Sequence, residues 1–271
     1  LIFGVMNVCH FAHGEFFMIG SYVAYFAHVG LGLSPLLAIL IAALTDFIAG
    51  VLAEKTLIYP LRRLSKEKWV MNTFLIMAGL SCILQNLALI IGGVKYRGIT
   101  EYWKGSIQIT PHMSISVDRA VAFLIMVVAI VTFWVFLHRT GTGRAIRAVS
   151  QDERGAVLVG INPDRIYALT FGLGSMLAGL AGASLLFLIP AYPFAGVKPQ
   201  LGSWLVVTIM GLGNVGGATV GGFIVGMLES ISYRVFGQGW QEVMSLCMLV
   251  LILLLKPSGL FGTEVKGRLE E

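Results

Sequence analysis

The sequence predicts an all-α, polytopic integral membrane bundle with broken helices and a short connecting helix. Three observations predict it. Of 271 residues, 57% are hydrophobic and only 12% are charged, where soluble domains carry about 25% charged residues. The apolar residues fall in long runs bounded by Gly, Pro and polar clusters. Two connections between the apolar runs are rich in basic residues, as connections on the cytoplasmic side of membrane proteins are. At roughly 20 residues per span the length holds about eight to ten crossings, in a single membrane domain over residues 1–271. The formal charge of +5 bears on orientation and anionic lipid. It forms no continuous patch of the kind nucleic acid requires. Cys9, Cys82 and Cys247 all lie in apolar runs and read as small core residues, since an odd number in such places builds neither a disulfide framework nor a metal site.

The chain opens on Leu1 inside an apolar run, so the beginning of its first helix is expected to be missing, and no signal peptide is readable. HFAHGE interrupts the run, and an apolar segment continues to Leu31. Ser34-Pro35 reads as an N-cap with proline in the first turn, and Pro60 as the stop of that helix. PLRRLSKEK is the first basic connection, placing Arg62, Arg63, Lys66 and Lys68 in the cytoplasm. Trp69–Gly93 crosses, residues 94–119 form an external hairpin or extended loop, and Ala120–Leu137 returns. His138–Arg165 is then cytoplasmic and carries five arginines, in agreement with the first connection. Ile166–Ile189 crosses outward. Leu201–Met210 spans about 15 Å, half a bilayer, and GLGNVGG separates it from the next apolar segment, so it reads as a re-entrant or broken helix. Gln241–Leu255 brings the C-terminus inside.

The polar island HRTGTGRAIRAVSQDERGAVLVGINPDR carries the most explicit local signals. Ser150 with Glu153 fits a capping box. Asp152 and Glu153 suit the positive end of a helix dipole. Gly160 followed by Ile161 suits a left-handed stop, and Asn162-Pro163 restarts a helix. Residues 151–159 are therefore expected to form a helix of about 13 Å. Ala156, Val157 and Val159 give it an apolar face. It is either a surface helix in the headgroup layer or a coupling helix that docks on a cytoplasmic motor.

The remaining polar residues of the spans need partners. His10 and His13 share a helix face but lack a third metal ligand at a matching spacing. With Asn7 and Glu15 they read as satisfying freed backbone, or lining water, at a break beside a pore. Glu54 and Lys55, near a helix end, are expected to snorkel. Asp46 and Glu229 belong to a polar interior, as structural hydrogen-bonding groups or as solute contacts. The glycines of GLGNVGG match G-x-G-x-x-G by letters, without the strand–turn–helix a dinucleotide site needs. They fit a tight break and close helix packing instead. The sequence holds no Walker-type phosphate loop and no G-x-S-x-G or H-E-x-x-H motif, so nothing in it points to an enzyme.

NVCHFAHGEFFMIGSYVA resembles the N-terminal signature of the branched-chain amino acid ABC transporter permeases of the LivH type. GRAIRAVSQDERGAVLVGIN resembles that family's ATPase-engaging loop, and DRIYALTFGLGSMLAGLAG, GLGNVGGATVGG and KPSGLFG continue the likeness in order. The resemblance implies a permease subunit in the bacterial inner membrane, forming half of a translocation pathway. Its implied partners are a homologous second permease, two cytoplasmic ATPase subunits and a periplasmic substrate-binding protein. It implies no cofactor on this chain, ATP and Mg lying on partner subunits. Arg144, Arg147, Asp152, Glu153, Gly160 and Ile161 would contact an ATPase. Asn7, His13, Gly14 and Glu15 would lie near the translocation path, to which the buried acids Asp46 and Glu229 are added from their position in the spans. The same architecture in this family serves urea, short amides and aromatic acids. Buried acids and broken helices also suit an ion-coupled secondary transporter working alone.

Overall fold

The computed structural model describes residues 1–8, 10–64, 69–110, 113–213 and 215–262. Cys9, the Lys66–Lys68 part of the first basic connection, Asn214 of the glycine-rich break and the charged tail lie outside them. The chain divides into two compact units, one built from residues 4–199 with Ile2, the other from Gln200 onward with Leu1 and Phe3.

In the larger unit a short helix α1 (Ile2–Met6) ends at the HFAHGE interruption, and α2 (His13–Tyr25) begins there. Asn7 sits at φ 53, the left-handed region that Asn tolerates best after Gly. A π-helical segment, Phe26–Gly30, extends α2. Helix α3 (Pro35–Ala53) starts with Pro35 in its first turn. It does not stop at Pro60. A π-helical turn, Glu54–Ile58, leads into α4 (Tyr59–Leu64), and residues 35–64 run as one 30-residue apolar helix. Proline inside a helix collides with the carbonyl four residues back. The wide turn just before it, in which the Tyr59 N–H donates to the Glu54 carbonyl, relieves that conflict. Helix α5 (Trp69–Gly92) ends on Gly93 at φ +68.

Within the stretch expected to be a hairpin or extended loop, β1 (Ser106–Thr110) pairs antiparallel to β2 (Met113–Ser116), with Ser106 opposite Ser116 and an irregularity between Gln108 and Thr110. It is tied down at its base. The Asp118 carboxylate accepts from the Tyr102 and Trp103 amides at 2.9 Å each, and the Tyr102 hydroxyl donates to the Ala183 carbonyl. Burial, with Asp118 nearby, pushes that hydroxyl above its usual range, so it stays a donor. Arg97 pairs with Ala191 through both backbone groups.

Helix α6 (Val117–Arg139) leads into α7 (Gly141–Gln151), α8 (Glu153–Leu158) and α9 (Pro163–Ser184). The core of this unit is α9 packed against α2 and α3. Small residues set the distance: a Cβ at Gly179 would overlap the Asp46 carboxylate on α3, and one at Gly182 would overlap the Phe17 carbonyl on α2.

In the smaller unit α10 (Val197–Met210) and α11 (Val215–Phe236) are separated by the glycine-rich break, with Gly211 at φ +101 and Gly213 at φ +89. This is the broken helix that the sequence predicts. KPSGLFG returns to cap it: the Leu260 and Phe261 amides donate to the Ile209 and Met210 carbonyls at 2.9 Å. Those carbonyls have no helical partner of their own. Helix α12 (Trp240–Leu255) packs on α11.

Among the described residues five helices are long and apolar enough to cross a membrane, fewer than the eight to ten that the length could hold. The chain is a multi-pass membrane protein whose remaining apolar length goes into shorter helices, among them α2, α10 and α12. Cys82 and Cys247 are exposed and not in the core. In a membrane span, apolar sequence surroundings mark lipid contact as readily as burial.

Candidate functional site

Two groups of residues stand out, one inside the bundle and one on the α7–α9 connection. Inside, Glu15 in the first turn of α2 is buried. Its Oε1 accepts from Ser81 Oγ at 2.8 Å and from Gln85 Nε2 at 2.7 Å. These donors stand one turn apart on α5, so the carboxylate clamps α2 to α5. His10 is buried, its ring stacked on Phe171 of α9 at 4.4 Å and edge-on to His13 at 5.4 Å. Both His10 nitrogens, His13 Nδ1 and Glu15 Oε2 are buried without a protein hydrogen bond. Gly14 lies beneath Gly196, where a Cβ would overlap the Gly14 carbonyl. Asn7 is exposed at the break. The structure thus gathers His10, His13, Gly14 and Glu15 around one discontinuity.

Asp46 is fully buried against the α9 seam, and neither carboxylate oxygen has a hydrogen-bond partner. It is interior, as its sequence position predicts. Glu229 belongs to the smaller unit, where Ser245 Oγ of α12 donates to its Oε1 at 3.1 Å.

On the connection, the capping residue differs from the one expected. Ser150 lies inside α7 and returns its hydroxyl to the Arg147 carbonyl at 2.8 Å. The cap of α8 is Asp152, extended at φ −152 and ψ 102, whose carboxylate accepts from the Arg154 amide at 3.0 Å. Helix α7, with Gly141 and Gly143 in its first turn, lies where no helix was expected. Thr140 caps it by accepting from the Gly143 amide, and Gly143, Ile146 and Val149 repeat at three-residue steps on its buried face. That face holds α7 helical through Ser150. The charged Asp152 side chain is the stronger acceptor at the next start.

The stop behaves as predicted. Gly160 sits at φ +84, its amide donating to the Val157 carbonyl and the Ile161 amide to the Ala156 carbonyl, both at 3.0 Å, the paired bonds of a Schellman close. Asn162 then accepts from the Asp164 and Arg165 amides to begin α9. Arg144, Arg147, Asp152 and Glu153 are all exposed. Ala156 is buried, so the apolar face is not Ala156, Val157 and Val159. It is Val157, Leu158 and Val159, at 52%, 87% and 76% exposure.

One constellation escaped the sequence reading. Glu54 does not snorkel: it is 1% exposed, and Arg62 Nη1 approaches its Oε1 at 3.5 Å. Arg62 Nη2 also binds Asp164 Oδ1 at 2.5 Å, and its guanidinium lies 4.4 Å over the Tyr167 ring. The signal in the sequence was the eight-residue spacing of Glu54 and Arg62, about two helical turns. The expected stop at Pro60 concealed it.

The family model "Branched-chain amino acid transport system / permease component" matches residues 1–253. The LivH high-affinity branched-chain amino acid permease protein of Salmonella typhimurium is 28% identical over 97% of this chain and 88% of its own length. The corresponding BraD protein of Pseudomonas aeruginosa is 29% identical with the same coverage. A probable LivH of Methanocaldococcus jannaschii is 27% identical over 96% of this chain and 85% of its own. No solved structure matches the chain.

Proposed function

The chain belongs to the permease component family of branched-chain amino acid transport systems, and on that footing we propose that it forms half the translocation pathway of an ABC importer for branched-chain amino acids. One observation carries the mechanism. Val157, Leu158 and Val159 face outward beside a helix capped at both ends, flanked by exposed Arg144, Arg147, Asp152 and Glu153. Three exposed aliphatic residues in an otherwise polar connection fit an interface core with a charged rim. The occupant is a cytoplasmic ATPase subunit, which supplies ATP and Mg; this chain binds neither and catalyses no reaction.

The basic connections orient the chain with the α7–α9 connection and the C-terminus in the cytoplasm of a bacterial cell. A second, homologous permease completes the pore, and a periplasmic binding protein delivers the amino acid. At the pore the α1–α2 break supplies Asn7, His13 and Gly14. Glu15 holds the break against α5, while Asp46 is a buried polar group of the larger unit and Glu229 a half-buried one of the smaller. Backbone freed from helical pairing at membrane depth is tolerated where it lines a cavity.

The test is Leu158→Asp in the complete transporter. ATP-dependent leucine uptake should fall by more than about tenfold while the amount of permease in the membrane is unchanged. A cysteine at position 153 should cross-link to the ATPase. Normal uptake by the Leu158 variant, or uptake by the isolated chain without ATP, overturns the assignment.

A further inference from the structure

We propose that Arg62 is the node of an ionic latch through which movement of α8 reaches the membrane helices, acting as a positioning residue for coupling. The inference rests on the ATPase-docking reading above. Arg62 joins the π turn with Glu54, which runs directly into the α4 that carries the arginine, to the first turn of α9, where Asp164 lies 102 residues further along the chain. The bond to Asp164 is short at 2.5 Å and the bond to Glu54 long at 3.5 Å. Arg63 Nη2 reaches the second Asp164 oxygen at 4.0 Å. Beneath the guanidinium, the Tyr167 ring fixes its plane. The Tyr167 hydroxyl in turn donates to Glu153, the first residue of α8. A continuous chain of contacts therefore runs from Glu153 through Tyr167 and Arg62 to Glu54.

The geometry suits a switch better than a static brace. Glu54 is sealed from solvent, whereas Asp164 is 41% exposed on its side chain. If α8 and the start of α9 shift together, Arg62 is pulled by its short bond to Asp164, and Glu54 loses its one ion pair among the described residues in a medium of low dielectric. A buried charge without its partner is strongly destabilising, so the π turn must move with Arg62. π turns inside α-helices recur at functional sites, and this one is continuous with α3, which packs on α2 and α9. A planar fork that bridges two carboxylates while stacked on a ring is a task for Arg and not for Lys.

The test uses the complete transporter in proteoliposomes with its binding protein and leucine, reading ATP hydrolysed per leucine delivered. Arg62→Gln should raise that ratio at least about fivefold, the low end of site-to-site coupling, and Arg62→Lys should fall between it and the wild type. The Arg62→Gln/Glu54→Gln pair removes the orphaned buried charge. It should recover the wild-type melting temperature of the purified complex yet keep the raised ratio. A wild-type ratio in the double variant reduces the cluster to packing and overturns the latch, as does an unchanged ratio in Arg62→Gln. Failure of a cysteine at position 153 to cross-link to the ATPase in the assembled complex refutes the docking reading itself, and that control is scored separately.

Discussion

Helices α6 and α9 are of nearly equal length and both are apolar enough to cross a membrane, yet they have opposite fates. In the best-fitting window of α9, 67% of residues are buried; in that of α6, 17% are. The more apolar helix is the less buried one. Helix α6 is built from Val, Ile, Leu and Phe, and Phe123, Leu124, Val128 and Val131 stand exposed. Helix α9 carries Gly172, Gly174, Gly179 and Gly182 with Ala and Ser. In water large aliphatic side chains mark the core. In a bilayer lipid tails solvate them equally well, and close backbone approach is what separates a core helix from a peripheral one.

Five substitutions, in four comparisons, break or sharpen that contrast. The largest effect is expected from Gly179→Val, whose side chain would meet the Asp46 carboxylate on one side, with Gly20 of α2 packed against the Gly179 backbone on the other. A loss beyond about 3 kcal/mol, the upper end of overpacking, should appear in unfolding of the micelle-solubilised chain; a near-normal variant would show that the α2–α3–α9 seam yields easily. Gln85→Leu comes next. It leaves Glu15 with the Ser81 donor alone and should cost about 1–3 kcal/mol. Stability equal to the wild type would mean that water or another group replaces the amide.

The third comparison places one substitution at two sites. Gly182→Ala should destabilise by about 1–3 kcal/mol. Gly79→Ala, in α5 where nothing lies within 4 Å of the new methyl, should stabilise by about 0.5–1 kcal/mol. Equal signs at the two positions would contradict the division into core and peripheral helices. Smallest of all, Leu124→Ala on α6 should change the stability of the isolated chain by no more than about 0.5 kcal/mol. A larger loss there, restricted to the complete transporter, would map the second permease onto α6.

Much of this was legible beforehand because it is local. Gly160 needs a left-handed residue, Asn162-Pro163 is a start signal, and the glycines of the α10–α11 break permit their positive φ values. Each depends on a few neighbouring atoms. The misreadings share the opposite property. Ser150 is a good capping residue, but Ile146 and Val149 had a surface to pack on and carried α7 past it. Pro60 is a good breaker, but a π turn absorbed it. Glu54 looked free to reach the headgroups until a residue 102 positions beyond Arg62 in sequence closed the site around that arginine.

By itself, then, the sequence determined that the chain lives in a membrane, where its helices break, and which connection is capped and charged, because hydropathy and backbone stereochemistry act over a few residues. Only the tertiary structure decided which apolar helix is core, that Glu15 is a clamp between α2 and α5, and that Glu54, Arg62, Asp164 and Tyr167 form one cluster. Those outcomes depend on backbone separations and on partners far along the chain, and no run of neighbouring residues encodes them.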